Sequence, residues 1–358
     1  MRAHDELGEA LASFDLPGRV VRVEPHRGGH IHRSWVVSTG TRRFLLQALN
    51  IAVFPDPAVL MDNVVRVTDH LRAIGEPTLT VVAAVDGRPW WTDRTSQPWR
   101  MFVFIEGSVS YPHATSPRQS EEVGLAFGRF ASAVVSLPGH PLAVTLPGFH
   151  DVRRRWQQLW AAADRDVAGR VRGAGAELER VTAAESVVGR WEAAVVAAPS
   201  RVAHNDAKVD NVLFDAITRR ARCVVDLDTV MTGTVLADLG DLVRSAACPV
   251  AEDEVDLDRV RLDDHLLTAV IRGFATGAGQ AGVTHDELTK VVPAAQAITF
   301  EQAMRFLADH LDGDSYYPTS WPGHNLDRAR AQLRMLAQLI EREADLAALV
   351  ERASVARQ

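Results

Sequence analysis

Residues 202–228 read VAHNDAKVDNVLFDAITRRARCVVDLD. Four polar residues in this stretch, His204, Asp206, Lys208 and Asn211, keep the spacing H-x-D-x-K-x-x-N, and a short turn and an apolar run lead from them to Asp226. That is the layout of a phosphoryl-transfer loop. An Asp accepts the proton of an attacking hydroxyl, an Asn five residues on binds metal, and a later Asp at a strand end completes the metal site. Four fixed residues at these offsets arise by chance in roughly one chain in a thousand of this size at average usage. Asn211 and Asp226 offer hard oxygen ligands of the kind that suit Mg2+ bridging ATP phosphates, so they are the expected metal ligands and Asp206 the expected base. Lys208, two residues past that base, is placed to hold charge developing on the transferred group or to contact the substrate.

Outward from this stretch, residues 211–214 and 222–225 read as short strands. His204 reads as an orienting partner, neither acid nor base. Asp228 reads as either a second metal ligand or the cap of the next turn. Asp238 opens DLGDLVR (238–244) and either tethers the loop or caps the helix that follows; the cap explains it with no further assumption. Downstream helices are expected over 239–247, 263–275 and 285–310, with a break at Pro293, and Asn325 is expected to cap a last long one. Upstream, helices are expected over 120–135, opened by Ser120, and over 150–163 and 177–197. Arg153, Arg154 and Arg155 read as a solvated helix face.

Before residue 106 the texture differs. Strands are expected over 20–23, 34–37 and 43–46, with Thr39-Gly40 as a hairpin turn. Residues 57–72 carry apolar positions at helical spacing, and strands follow over 79–85, 89–91 and 99–105. Trp90, Trp91 and Trp99 belong to core and cross-strand packing rather than to a sugar-stacking platform. The chain therefore divides into an N-terminal sheet lobe over 1–105 and a larger, mostly helical C-terminal lobe over 106–358, an α+β fold.

A chain of 358 residues with net charge −7 gives no reason to expect nucleic acid or a membrane as a partner. Two cysteines, Cys223 and Cys248, rule out a disulfide framework. No apolar run approaches the ~18–20 residues of a membrane span, and the acidic first residues do not read as a signal peptide. A cytoplasmic protein is expected.

Several segments together resemble the aminoglycoside phosphotransferase/choline kinase group of the protein-kinase-like superfamily, and within it the N-acetylhexosamine 1-kinases. They are FLLQALN (44–50), VFPDP (53–57), WRMFVFIEG (99–107), HNDAKVDNVLFD (204–215), VVDLDTVMTGTVLADLGDLVR (224–244), FEQAMRFLADHLDGDSYY (300–317) and GHNLDRAR (323–330). The resemblance implies a two-lobed kinase with ATP and Mg2+ as cofactors. It also implies Lys208, Arg305 and Tyr316 as sugar contacts, although Arg305 equally suits a helix-surface salt bridge to Glu301. Phe104, Ile105 and Glu106 fall where the hinge would meet adenine. Gly29 and His30, in Arg27-Gly28-Gly29-His30, stand where the group's phosphate-covering loop falls. The chain departs from kinases in lacking G-x-G-x-x-G, in carrying Gln47 where a phosphate-binding Lys is usual, and in having Asp226-Leu227-Asp228 for D-F-G. Ala207, Thr232 and Ala237 depart from the sugar kinases near the acceptor. The expected acceptor is a sugar hydroxyl, first of all the anomeric one of an N-acetylhexosamine; a cyclitol, aminocyclitol or aminoglycoside is the alternative, and Gln47 with the missing glycine loop leaves a catalytically inactive nucleotide-binding relative as the third reading.

Overall fold

The structure, a computed structural model, describes residues 2–26 and 31–355, with side chains from residue 6 onward. The chain forms two compact units. The first comprises Met1–Ser108 together with Leu137–Pro147 and Val225–Met231; the second comprises Val109–Ser136, Gly148–Val224 and Thr232–Gln358.

The first unit holds α1 (Arg2–Ala12), β1 (Val20–His26), β2 (Arg33–Thr39), β3 (Arg43–Ala48), α2 (Pro57–Ala73), β4 (Val81–Val82), β5 (Trp91–Thr92) and β6 (Pro98–Val103). The strands make an antiparallel sheet in the order β1-β2-β3-β6-β4, with β5 also paired to β6. Alternation does the work along β3: Phe44, Leu46 and Ala48 are buried while Leu45 and Gln47 face the other side. Val37, Phe44, Leu46, Trp99 and Met101 form the core under α1, which adds Ala10. Trp91 pairs across to Trp99 in register, and Asp93 accepts from Trp99 Nε1 at 3.0 Å, so these tryptophans are packing residues as expected. The strands expected over 79–85 and 89–91 shrink to two residues each because the chain leaves the sheet for the Asp86-Gly87 turn. Asp56 caps α2, accepting from Ala58 N and Val59 N, and Pro57 follows at N1.

The chain passes into the second unit within β7 (Ser108–Val109). It continues through α3 (Pro117–Val134), α4 (Val152–Arg165), α5 (Gly175–Ala183), α6 (Ser186–Ala197), β8 (Arg201–Ala203), β9 (Val212–Asp215) and β10 (Ala221–Val224). After β11 (Met231–Gly233) come α7 (Val235–Ala246), α8 (Asp264–Gly282), α9 (His285–Thr289), α10 (Val291–Leu311), α11 (His324–Glu341) and α12 (Glu343–Val355). Nearly every residue of α10 is buried, so it is the central helix of this unit. Helices α3 and α8 approach through glycines: a Cβ on Gly124 would lie 2.0 Å from Val270 O, and one on Gly273 would lie 2.1 Å from Glu121 O.

Several boundaries differ from expectation, each for a local reason. Helix α3 starts at Pro117 behind the cap Ser116, while Ser120 lies inside and donates to Ala246 O at 2.9 Å. The stretch 177–197 divides at Ala184 and Glu185 into two helices. The break in 285–310 falls at Lys290; Pro293 sits in the first turn of α10, where no N–H partner is required. Gly323, at φ +82°, precedes α11, so Asn325 does not cap but lies buried within it, donating to Asp309 and Asp314.

Candidate active site

In the second unit the short strand β8 delivers the chain into the loop His204–Asn211. Asn205 turns it with a left-handed backbone, φ +63°, a conformation that costs a non-glycine residue energy unless its surroundings hold it. Three fixtures hold it here. Asp238 Oδ2 accepts from His204 N at 2.9 Å and its Oδ1 from Asn205 N at 2.6 Å. His150 Nε2 lies 2.7 Å from Asn205 O. The fully buried His204 ring meets Phe127 and Phe130 edge-on, at 5.2 and 5.6 Å. Asp238 is therefore a tether of this loop and not the cap of α7, a role taken by Thr234, whose side chain accepts from Leu236 N. Both carboxylate oxygens face two consecutive backbone N–H groups, a pairing sequence spacing does not display.

The tethered loop brings three of the expected residues together. Asn211 Nδ2 donates to Asp206 O and to Asp206 Oδ2, each at 2.8 Å, and Lys208 Nζ lies 3.2 Å from Asp206 Oδ2. Burial raises the Asp206 pKa, but the charges of Lys208 and His204 and the Asn211 hydrogen bond outweigh it and bring it down to about 2. At neutral pH the group is a carboxylate. The Asn211 amide nitrogen is committed to Asp206, which leaves Asn211 Oδ1 as the atom for a hard cation. Among the described residues no three His, Cys, Asp or Glu side chains gather into a metal site.

Arg305 is electrostatically coupled to Asp206 and to Tyr316, Tyr317 and Glu301, and these outweigh burial to hold its guanidinium charged. It makes the expected i,i+4 approach to Glu301, at 3.9 Å, and lies over the rings of Phe149 and Tyr317. Tyr316 is 54% exposed, and the tyrosine packed on Arg305 is its neighbour Tyr317, whose hydroxyl burial pushes up to about 12. Glu301, 1% exposed, is engaged by His150 at 2.9 Å and approached by Arg155 at 3.6 Å. Arg155 thus turns inward, unlike Arg153, which pairs with Glu192 at the surface. Sequence reading missed His150, Arg155, Glu301 as a site group and Tyr317. The only signal was the doubled tyrosine, which lies in the loop after α10.

In the first unit β6 ends at Val103, and the next residues leave the ladder. Phe104 N donates to Arg43 O at 3.0 Å, Ser108 Oγ donates to Ile105 O at 2.6 Å, and Glu106 pairs with Arg43, which also covers the Phe104 ring. Gly29 and His30 lie outside the described residues. Asp226 is partly exposed and held in the left-handed region, φ +60° and ψ +55°. Asp228, 3% exposed, is neither of the two things expected of it. Both its oxygens pair with the Arg100 guanidinium, and its Oδ2 lies 2.6 Å from His32 Nε2. Burial raises the Asp228 pKa, and Arg100 and His32 outweigh it, keeping the carboxyl below the usual range. Asn50 N donates to His32 Nδ1, so the Nε2 proton points at Asp228. Arg100 is the cross-strand partner of Gln47 and donates to Gln47 Oε1 at 2.9 Å. A cation therefore stands beside the position that lacks lysine, neutralised by Asp228.

A family model described as the phosphotransferase enzyme family matches residues 22–275. Among solved structures, a microcompartment-associated aminopropanol kinase superposes with a TM-score of 0.65 at 15% identity, covering 95% of this chain and 98% of that one. An aminoglycoside phosphotransferase from Alicyclobacillus acidocaldarius gives 0.61 at 16%, covering 97% and 96%. Amicoumacin kinase hAmiN, in complex with AMP-PNP, Ca2+ and Ami, gives 0.64 at 9%, covering 94% of each. The α+β, kinase-like architecture expected from the sequence is the one these structures share.

Proposed function

From the premise that this chain belongs to the phosphotransferase enzyme family, we propose that it is an ATP- and Mg2+-dependent kinase whose acceptor is a sugar hydroxyl. The anomeric hydroxyl of an N-acetylhexosamine or a related sugar is the first choice, giving the sugar 1-phosphate. The carrying observation is the Asp206 carboxylate held by Asn211 and Lys208, with its pKa lowered to about 2. So weak a base does not strip an ordinary alcohol in the ground state. It orients the hydroxyl and takes the proton as the bond to phosphorus forms, in a loose transition state where positioning dominates. An anomeric hydroxyl, more acidic than other alcohols, asks least of it.

When bound, Mg2+ would supply positive charge to offset that of the ATP phosphates. Asn211 Oδ1 and the Asp226 carboxylate are the donors assigned to hold it, and Phe104, Ile105, Glu106, Gly29 and His30 the residues assigned to the nucleotide. Lys208, Arg305, Tyr316 and Tyr317 are assigned to the acceptor. Their cations favour an oxygen-rich, uncharged acceptor over an amine. A second reading, an aminocyclitol, aminoglycoside or other cyclitol, has one observation on its side: Asp210, 3.9 Å from Lys208, and Glu252 add acidic charge near the loop. An ATP-consuming enzyme with its two thiols free and buried suits the cytoplasm, and no helix among the described residues is long and apolar enough to cross a membrane.

The test is a panel of free sugars, aminosugars and cyclitols incubated with ATP and Mg2+, with products read by phosphorus NMR. A 1-phosphate from an N-acetylhexosamine is expected. Turnover confined to aminocyclitols would replace the acceptor, and no ADP from any member of the panel would count against a sugar or cyclitol altogether.

A further inference from the structure

His150 lies in the loop before α4, and its two ring nitrogens meet two different acceptors. Nδ1 is 2.9 Å from Glu301 Oε2 and Nε2 is 2.7 Å from Asn205 O. A carbonyl oxygen has no proton to give. Glu301 has none either: apart from the imidazole, its buried carboxylate stands between two permanent cations, Arg155 at 3.6 Å and Arg305 at 3.9 Å. A neutral imidazole carries one N–H and would satisfy one partner while aiming a lone pair at the other; only an imidazolium donates to both. The surroundings agree. Helix α10 brings Glu301 and Arg305, α4 brings Arg155 against the same carboxylate, and α7 brings Asp238 and Asp241 within electrostatic reach. Helix α6 offers only Trp191, which donates to His150 O.

We propose that His150 is a positioning residue for the acceptor-side carboxylate: as an imidazolium it straps the Asn205 carbonyl, one residue before Asp206, to Glu301 on α10. The strap completes what Asp238 begins, because Asp238 holds the N–H groups of this left-handed turn and His150 holds its carbonyl. Deprotonation removes one of the two donors, and it also leaves Glu301 balanced by Arg155 and Arg305 alone, which draws their charge away from the acceptor. Burial lowers the His150 pKa, but Glu301 and the Asn205 carbonyl outweigh it and raise it above the ordinary 6.5. The strap is therefore fully charged below that value and releases as pH rises through the higher folded one. This inference rests on Asp206 being the acceptor-side base.

Two measurements test it. In protein labelled with 15N-histidine and free of nucleotide, the His150 ring, assigned by its absence in His150→Gln, is expected to show two protonated nitrogens at neutral pH; a neutral ring there overturns the proposal. In the second, kcat/KM for N-acetylglucosamine is followed from about pH 6 to 9.5. The wild type is expected to lose activity along an alkaline limb. His150→Gln should be flat across it and about tenfold lower at the acid end, the cost of a loosely placed base. Glu301→Gln should move the limb to lower pH, and it carries the kinetic test alone should His150→Gln not fold. An alkaline limb unchanged in either folded variant overturns the proposal. Absence of any turnover of N-acetylglucosamine by the wild type counts against the proposed acceptor only, and the ring measurement then decides the strap.

Discussion

At the residue scale, the chemistry concentrates in side chains whose charge is set by their neighbours. Asp206 stays ionised down to about pH 2, so the stability its ionised form contributes is present above the unfolded value and lost only as pH falls through that low one. Asp206→Asn should keep Mg·ATP binding, read by calorimetry, while kcat falls by ~10²–10⁴-fold, the usual worth of general-base assistance. A kcat within a factor of two would remove it from the reaction. Asp228 belongs to a different kind of site. It is buried against Arg100 and His32, and taking one partner from a buried pair leaves the other charge uncompensated. Asp228→Ala should cost about 3–5 kcal/mol in denaturant unfolding. A loss below 1 kcal/mol would mean that Arg100 finds another partner.

At the element scale, the second unit depends on backbones that approach more closely than side chains allow. Gly124 and Gly128 on α3 face Gly273 and Gly277 on α8, and each would place a Cβ within 2.5 Å of a backbone oxygen on the facing helix. Gly124→Ala should therefore force the helices apart at a cost of about 3 kcal/mol, visible as a lowered midpoint of thermal unfolding. An alanine tolerated without change would show that α3 and α8 can slide. The same scale explains the misplaced helix starts. Ser116 and Ser120 are both good N-caps by composition; Ser116 takes the role because Pro117 follows it, and Ser120 is buried against Ala246. Gly323 and Asn325 differ likewise: only Gly323 has the left-handed backbone, and Asn325 is drawn inward by two aspartates.

At the scale of the whole molecule, the first unit is not a continuous stretch of chain. Val225–Met231 and Leu137–Pro147 belong to it, and they carry partners that its buried polar groups need. Arg100 requires Asp228, and Asn63 Nδ2 donates to Ala143 O at 2.8 Å and Val230 O at 3.2 Å. A fragment of residues 1–105 would lack the counter-charge of Arg100 and both of these acceptors of Asn63 Nδ2. It is expected to give the collapsed amide spectrum of an unfolded or molten chain in 1H–15N correlation NMR, whereas a dispersed spectrum would show that the sheet folds without the returning segments.

The linear order of residues was enough to pick out Asp206, Lys208 and Asn211 as one group, because they stand at short, fixed offsets that a single loop brings together, and enough to separate a strand-rich first part from a helical remainder, because periods of two and 3.6 are local properties. It also located Trp91 and Trp99 in the sheet, though not Trp90, which lies in the bend before β5, and it placed Arg305 beside Glu301. Folding alone decided what lies between distant positions: that Asp238 grips the loop instead of capping a helix, that Asp228 answers Arg100, that Tyr317 rather than Tyr316 packs on Arg305, and that His150 bridges Glu301 to Asn205. A hydrogen bond is made across a few ångströms of space, and the residues that share one here stand 33 to 151 positions apart along the chain.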